Sequence, residues 1–259
     1  MATLNPPVVL IGVGEMGGVF ARGLLRAGYP VYPVTRHTAM NELATVIPEP
    51  AMVLVAVGEN DLHPVLDLVP ESWRDKLALL QNELLPRDWQ AHGLQQPTVT
   101  SVWFEKKPSR DPKVIIPTPV YGPQANTLAQ ALTMLDIPVK LLHSPQQLLH
   151  ELVLKNLYIL TTNIAGLNLG GNVGELWSQH RDVAVAVADD VLDIQRALTG
   201  QEFDRAALMA GMVEAFDGDP GHGCMGRSAP ARLARALAHA DEFGLEVKTL
   251  RSLAAEVRI

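Results

Sequence analysis

Apolar residues fall into two kinds of pattern along this chain, and the change from one to the other comes near residue 144. From Val8 to about Leu142, short apolar runs alternate with amphipathic segments, the pattern of βαβ units around a largely parallel sheet. Val8 to Ile11 is the first buried strand, and a glycine-spaced turn follows it. Met16, Val19, Phe20, Gly23, Leu24 and Ala27 then recur at helical spacing, with Gly28 where a helix C-terminal glycine belongs. Val31 to Val34 reads as the second strand and Met52 to Val57 as a third, fully buried one. Gly58-Glu59-Asn60 stands at its carboxyl end, where such sheets take their ligands. Leu77 to Leu80 is a further strand that delivers Gln81-Asn82-Glu83 to the same edge. Thr98 to Phe104 and Val114 to Val120, separated by the polar stretch 105–113, predict a hairpin extending the sheet. Gln124 to Leu135 reads as a helix and Val139 to Leu142 as the last strand.

After that strand the pattern is helical throughout. Ser144-Pro145-Gln146-Gln147 is a helix start, with Ser at the N-cap, Pro at the first helical position and Gln placed to close a capping box. The first helix runs from about Pro145 to Leu167. Beyond the break Gly170-Gly171-Asn172-Val173-Gly174, further helices are expected over roughly Glu175 to Leu198, Asp204 to Phe216, Ala229 to Phe243 and Val247 to Val257. The expected division is therefore an α/β part, 1–143, and an all-α part, 144–259, with the active site in a cleft between them.

Composition narrows the function classes. A length of 259 residues allows one large or two ordinary domains, and an apolar share of 47% supplies ample core. Net charge is −7 with no basic run, which argues against nucleic-acid binding and against binding to anionic membranes. The N-terminal Met-Ala-Thr-Leu-Asn-Pro-Pro has no basic segment followed by an apolar stretch, and no apolar run is long enough to span a bilayer, so a soluble, cytoplasmic protein is expected. Cys224 is the only cysteine, leaving no internal disulfide and no multi-cysteine metal cluster, and no metal site is expected.

The first turn has the chemistry of a dinucleotide site. In Gly12-Val13-Gly14-Glu15-Met16-Gly17, Gly12 permits the tight turn out of the strand, Gly14 lets the backbone approach a pyrophosphate, and Gly17 lets the helix pack closely on the sheet. The N–H groups of the first turn, around Glu15 and Met16, would point at the phosphates. The alternative is a plain strand-turn-helix without a ligand. An NAD site usually carries an acidic residue at the end of the second strand, whereas this chain has Thr35-Arg36-His37-Thr38. Arg36 favours NADP, because a guanidinium grips a 2′-phosphate through its planar fork, and the Thr35 and Thr38 hydroxyls add donors. Arg36 as a solvated loop charge is the competing reading.

Lys155 is the candidate acid. It stands on the first helix of the all-α part, with Thr162 about 20° and Asn163 about 80° away around the helix, so the three can face one cleft while Leu152, Leu157, Leu160 and Ile164 pack inward. A lysine over a carbonyl can polarise it and donate the proton as hydride arrives. On helix geometry alone, a lysine snorkelling to the surface competes with this role. The loop 217–228 is glycine-rich and reads as a flexible segment able to close over the cleft, bringing His222, Arg227 and Ser228 as polar groups. For Ser228, a cap on the helix that follows is the safer reading.

These features together resemble ketopantoate reductase (2-dehydropantoate 2-reductase) and, more distantly, the β-hydroxyacid dehydrogenases. In ketopantoate reductases the lysine helix carries asparagines four and eight residues after the lysine and ends in a Gly-Glu-Leu break. Lys155, Asn163 and Gly174-Glu175-Leu176 stand at that spacing. Asn82 resembles the family's asparagine near nicotinamide and substrate. The chain also departs from the pattern. Ile159 and Val173 replace two asparagines, the lysine often found after the third strand is absent, and no residue matches the catalytic glutamate.

The resemblance implies a Rossmann-type dinucleotide-binding domain followed by an all-α substrate and dimerisation domain, with NADP as cofactor and a small 2-oxo acid, or a related carbonyl or imine, as substrate. Lys155 and Asn163 would be catalytic, Gly12, Gly14, Glu15, Met16, Gly17, Thr35, Arg36 and Asn82 would bind the cofactor, and His222 and Ser228 would face the substrate. A homodimer is compatible with that reading. An NADP-binding sensor or a decayed homologue without turnover is the alternative, which Ile159 and Val173 favour. Those two residues would make the cleft more apolar than a ketopantoate site.

Overall fold

The computed structural model describes residues 5–257; the first four residues of the stretch read as lacking an export signal lie outside them. The chain divides into two compact units, with the division between Glu151 and Leu152.

Among the described residues the first unit has nine strands, seven of which join in one sheet. The strands are β1 (Val8–Ile11), β2 (Val31–Val34), β3 (Met52–Val55), β4 (Leu77–Leu79), β5 (Thr98–Thr100), β6 (Phe104–Glu105), β7 (Lys113–Val114), β8 (Thr118–Tyr121) and β9 (Val139–Leu141). The large sheet has the order β2-β1-β3-β4-β5-β8-β9. Neighbours are parallel except β5 and β8, so β8 and β9 run against the rest. Continuous apolar runs form strands here because both faces are covered. Val8, Leu10, Met52 and Leu54 pack with Phe20 and Leu24 of α1 (Glu15–Arg26).

Short helices α2 (Met40–Val46), α3 (Leu62–Leu68) and α4 (Pro86–Gln90), which the apolar pattern does not delimit, fill the crossovers, and α5 (Ala125–Thr133) brings Leu128 and Leu132 to the same core. Chain order reverses at β1, which lies between β2 and β3, so the carboxyl ends of β1 and β3 form the switch point where open α/β sheets bind ligands.

The expected hairpin splits into two pieces. β5 pairs with β8 in the large sheet, while β6 and β7 form a two-stranded sheet of their own. The ladder breaks where Pro117 has no N–H to give, and the Trp103 N–H goes to the Thr118 hydroxyl at 3.2 Å instead of to a backbone carbonyl.

Helix α6 (Pro145–Leu169) begins in the first unit, and most of it belongs to the second. Its start follows the sequence reading with one shift. The Gln147 N–H donates to the Ser144 hydroxyl at 3.2 Å, but the Gln147 carboxamide reaches back to the His143 N–H, one residue before the cap. The remainder is α7 (Val173–Gln179), α8 (Arg181–Thr199), α9 (Arg205–Gly218), α10 (Ala229–Glu242) and α11 (Lys248–Val257). One helix was expected over Glu175 to Leu198; two are found, because His180, at φ −133° and ψ 37°, leaves the helical region. Asp190 of α8 accepts the Thr249 and Leu250 N–H groups at 2.8 and 3.0 Å, capping α11 from a neighbouring helix. Leu157, Ile164, Val187, Val191, Leu208, Met212, Phe216, Leu233 and Leu250 are buried in this unit.

Candidate functional site

In the first unit the three glycines of the turn have three different surroundings. Gly12 has φ +93°, and a Cβ there would lie 2.7 Å from the Ala56 carbonyl oxygen at the end of β3. Gly17 faces the Gly12 carbonyl so closely that a Cβ has no room. Both are required by the protein's own packing. Gly14 is different: a Cβ there would meet nothing within 4 Å. Its exposed backbone sits at the N-cap of α1, where, among the described residues, no side chain makes a capping hydrogen bond. An open approach to unfilled helix N–H groups beside a switch point fits a dinucleotide pyrophosphate. Glu15 is exposed and Met16 half-buried in the first turn.

The second-strand residues close on themselves. The Thr35 N–H donates to the Thr38 hydroxyl at 3.0 Å, the two hydroxyls lie 3.3 Å apart, and the His37 N–H reaches the Thr35 hydroxyl at 3.4 Å. The threonine hydroxyls thus shape the turn, while Arg36 projects as an exposed cation. At the end of β4, the buried Gln81 donates to the Val55 and Val57 carbonyls at 2.8 and 3.2 Å and accepts from the Leu80 N–H at 3.1 Å. That clasp fixes the edge on which half-buried Asn82 stands.

Two further cations stand near the turn. A concavity of ≈ 280 Å³ beside Gly14 is lined by Arg22 and Lys106 as well as Glu15, and the sequence pattern singles out neither cation. Lys106 comes from the polar stretch 105–113, which carries no motif of its own.

In the second unit Lys155 is only 9% exposed. A surface lysine is thereby excluded. Helix α6 is buried on all sides from Leu152 to Gly166 except at Ile159, which is half-buried. Burial, and then the positive charge of Arg232, lower the Lys155 ammonium to about 7 from an ordinary 10.5. The Lys155 Nζ lies 5.5 Å from the centroid of the Tyr158 ring.

Arg232, 6% exposed on α10, is the residue the sequence analysis missed. Its Nη1 donates to Asn163 Oδ1 at 2.7 Å, and the Asn163 amide donates in turn to the Cys224 carbonyl at 3.2 Å and toward the Thr162 hydroxyl at 3.4 Å. Asn163 therefore binds protein groups on both its oxygen and its nitrogen. Thr162 turns its hydroxyl back to the Tyr158 carbonyl at 2.9 Å. The only early sign of Arg232 lay in a helix whose basic residues all look like surface charge.

Several expectations for the loop are corrected. It is pinned rather than flexible through 220–224: the Val173 N–H donates to the His222 carbonyl at 2.9 Å, the Gly174 N–H to the Pro220 carbonyl at 3.0 Å, and the Cys224 N–H to the Gly171 carbonyl at 3.1 Å. The glycine-rich break after α6 thus serves as the loop's anchor. Gly166 permits the approach, since a Cβ there would stand 2.9 Å from the Cys224 Cβ. Asn172 and Glu175 close a capping box at 2.9 and 3.1 Å, so Glu175 starts α7. Val173 is 0% exposed and packs in the core rather than lining an apolar cleft.

Ser228 occupies the N-cap position of α10, but its hydroxyl makes no capping bond, because its backbone is already helical there. His222 is half-buried with its ring centroid 6.2 Å from that of Tyr158, and Arg227 is exposed. Burial pushes the Cys224 thiol up to about 11, which keeps it in its unreactive form. Among the described residues no group of His, Cys, Asp or Glu could hold a metal ion, and no helix is long and apolar enough to cross a membrane.

No known family model matches the chain, and no curated protein does. Solved structures match along nearly its whole length. A ketopantoate reductase of the PanE/ApbA family from Ralstonia eutropha JMP134 superposes with a TM-score of 0.66 at 17% identity, covering 97% of each chain. A dimeric ketopantoate reductase from Staphylococcus aureus gives 0.60 at 16%, again with 97% of each covered. A D-mandelate dehydrogenase bound to NADH and anilino(oxo)acetate gives 0.67 at 13%, with 97% of each covered. The chain has the fold of the ketopantoate reductases, a parallel-dominated sheet with flanking helices followed by a helical region.

Proposed function

We propose that this chain is an NADPH-dependent reductase of a small 2-oxo acid, or of a related carbonyl or imine, of the ketopantoate reductase kind. The observation that carries the reading is Lys155: a lysine buried on α6 within hydrogen-bonded polar company that includes Thr162 and Asn163, with its acidity brought to about 7. A group that titrates near working pH is matched to donating and regaining a proton, and a structural lysine has no need of such a value. Fold alone does not carry function, so the argument rests on these residues.

Residues 1–143 then form the dinucleotide domain and 144–259 the substrate and dimerisation domain. Gly12, Gly14 and Gly17, with the first-turn N–H groups around Glu15 and Met16, hold the pyrophosphate. Arg36 holds the 2′-phosphate beside Thr35, and Asn82 stands by the nicotinamide. A nicotinamide cofactor held there would supply the hydride that reduces the carbonyl carbon. Lys155 gives its proton to the carbonyl oxygen, the N–H bond breaking as the O–H forms, and is left as a neutral amine that its buried setting favours.

Arg232 grips the substrate carboxylate through its fork, and Asn163 acts by holding that guanidinium in place. His222 and Ser228 flank the substrate. A homodimer, the state described for the Staphylococcus aureus protein, is the assembly this reading expects.

The test is NADPH oxidation measured against a panel running from ketopantoate to branched-chain and aromatic 2-oxo acids, with imines alongside. On the best substrate, Lys155→Ala should lower kcat about a hundredfold and leave NADPH affinity nearly unchanged, the scale expected of a lost general acid. Equal rates in variant and parent remove Lys155 from the mechanism. Tight NADPH binding by the parent with no oxidation across the panel replaces the enzyme by a sensor.

A further inference from the structure

The segment after β6 brings charges to the glycine turn for which pyrophosphate binding by backbone alone has no use. Lys106 is largely covered, its side chain 17% exposed, and its Nζ lies 3.0 Å from Glu15 Oε2 and 2.6 Å from the Lys107 carbonyl. Farther along α1, Arg22 meets Asp111 of the same segment at 3.4 Å. Two ion pairs thus strap the 106–111 segment to α1, and the ≈ 280 Å³ concavity lies between them, with Gly14 and Gly18 in its wall. A Cβ at Gly14 or at Gly18 would meet nothing within 4 Å, so packing within the protein explains neither glycine.

Glu15 is the awkward member of this group. A carboxylate in the first turn suits the empty helix end but opposes a pyrophosphate there, since like charges at close range repel. Lys106 offsets that charge, and its ammonium sits on a flexible stem that can exchange one oxygen anion for another within a few ångströms.

We propose that Lys106 is a phosphate clamp, which leaves Glu15 and donates to the dinucleotide pyrophosphate when the cofactor binds, while the Arg22–Asp111 pair keeps the strap in reach. This rests on the reading that the glycine turn binds a nicotinamide dinucleotide. The pyrophosphate is common to NADH and NADPH. Lys106 therefore strengthens both alike, whereas Arg36 acts on the 2′-phosphate and separates them.

Fluorescence titration with NADPH and with NADH decides it. Lys106→Ala should raise both dissociation constants about tenfold and leave their ratio unchanged, the loss expected for one charge-assisted hydrogen bond. Lys106→Arg should keep most of the affinity, and Glu15→Gln should tighten both nucleotides by removing the competing carboxylate. Arg36→Ala, as the control, should weaken NADPH alone.

Unchanged affinities in Lys106→Ala would overturn the clamp, and so would a loss confined to NADPH, which would put Lys106 at the 2′-phosphate. If the parent protein binds neither nucleotide, the cofactor reading falls, and the clamp with it. That result is distinct from a parent that binds and a variant that is indifferent.

Discussion

The glycine turn of the first unit and the lysine helix of the second solve opposite problems. The turn is built from consecutive residues, is exposed at its apex from Val13 to Glu15, and is defined by what its backbone must leave open: Gly14 has space around it that no protein atom uses. The lysine helix is closed on nearly every side, and its polar character comes from residues far apart in sequence: Lys155, Asn163, Cys224 and Arg232. A ligand-binding turn can be made locally because backbone N–H groups do the binding. A proton donor with a shifted acidity has to be made by burial, and burial needs distant parts of the chain.

The largest effect that would sharpen this contrast lies within the turn. Gly17→Ala puts a methyl group onto the Gly12 carbonyl, so either α1 or the strand end must move. A loss of about 3 kcal/mol is expected, the upper end of the usual scale for an overpacked core. Gly14→Ala should cost no more than about 1 kcal/mol, the difference between Gly and Ala at an N-cap, yet it should weaken NADPH binding. Urea denaturation and nucleotide titration of both variants measure this. Equal destabilisation by the two, or unimpaired binding by Gly14→Ala, would erase the distinction between a packing glycine and a ligand glycine.

This contrast also explains what could be read in the sequence. The strands from β1 to β4, the turn and the α6 start were legible because apolar periodicity and glycine or serine chemistry are local signals. Lys155 was legible as a candidate, but its burial was not: helical spacing alone favoured the surface, and the burial of α6 from Leu152 to Gly166 comes with contacts from later helices, such as Gln195 of α8 on Asn156 and Arg232 of α10 on Asn163. Arg232 was invisible for the same reason. A basic residue on an amphipathic helix reads as solvated until the fold turns it inward against Asn163. The loop misled in the other direction, since its glycines suggested mobility, whereas its backbone is bonded to the break after α6.

The next effect concerns acidity. Reduction requires the ammonium form of Lys155, so kcat should be level below pH 7 and fall above about 7. Arg232→Gln removes a neighbouring positive charge and should move that break upward, because the ammonium form is then less opposed, while burial keeps it below the ordinary lysine range. Stability follows the same residue with a definite sign. Between about 7 and 10.5 the unfolded chain holds a proton that folded Lys155 has lost, so its contribution to stability rises with pH across that window. Lys155→Met should accordingly raise the denaturation midpoint more at pH 6 than at pH 10. A pH profile that does not move in Arg232→Gln would show that the two cations do not act on one another.

The smallest effect is one of substrate choice, and it turns on the one half-buried position of the lysine helix between Leu152 and Gly166. Ile159 lies one turn after Lys155 and one turn before Asn163, and it alone between Leu152 and Gly166 is not fully buried. Val173, the other departure from the family pattern, is sealed in the core and can have no direct say in what binds. Any selectivity arising from the two departures should therefore reside in Ile159. An isoleucine favours an apolar substituent, and a polyoxygenated acid such as ketopantoate would leave a hydroxyl against it without a partner, at about 1 to 3 kcal/mol. Ile159→Asn should then shift the ratio of kcat/KM for ketopantoate over an aliphatic 2-oxo acid by about fivefold or more toward ketopantoate, with the pH profile unchanged. Val173→Asn should cost stability without changing that ratio. If Val173→Asn shifts the preference and Ile159→Asn does not, that half-buried position of the helix is not where the substrate is read.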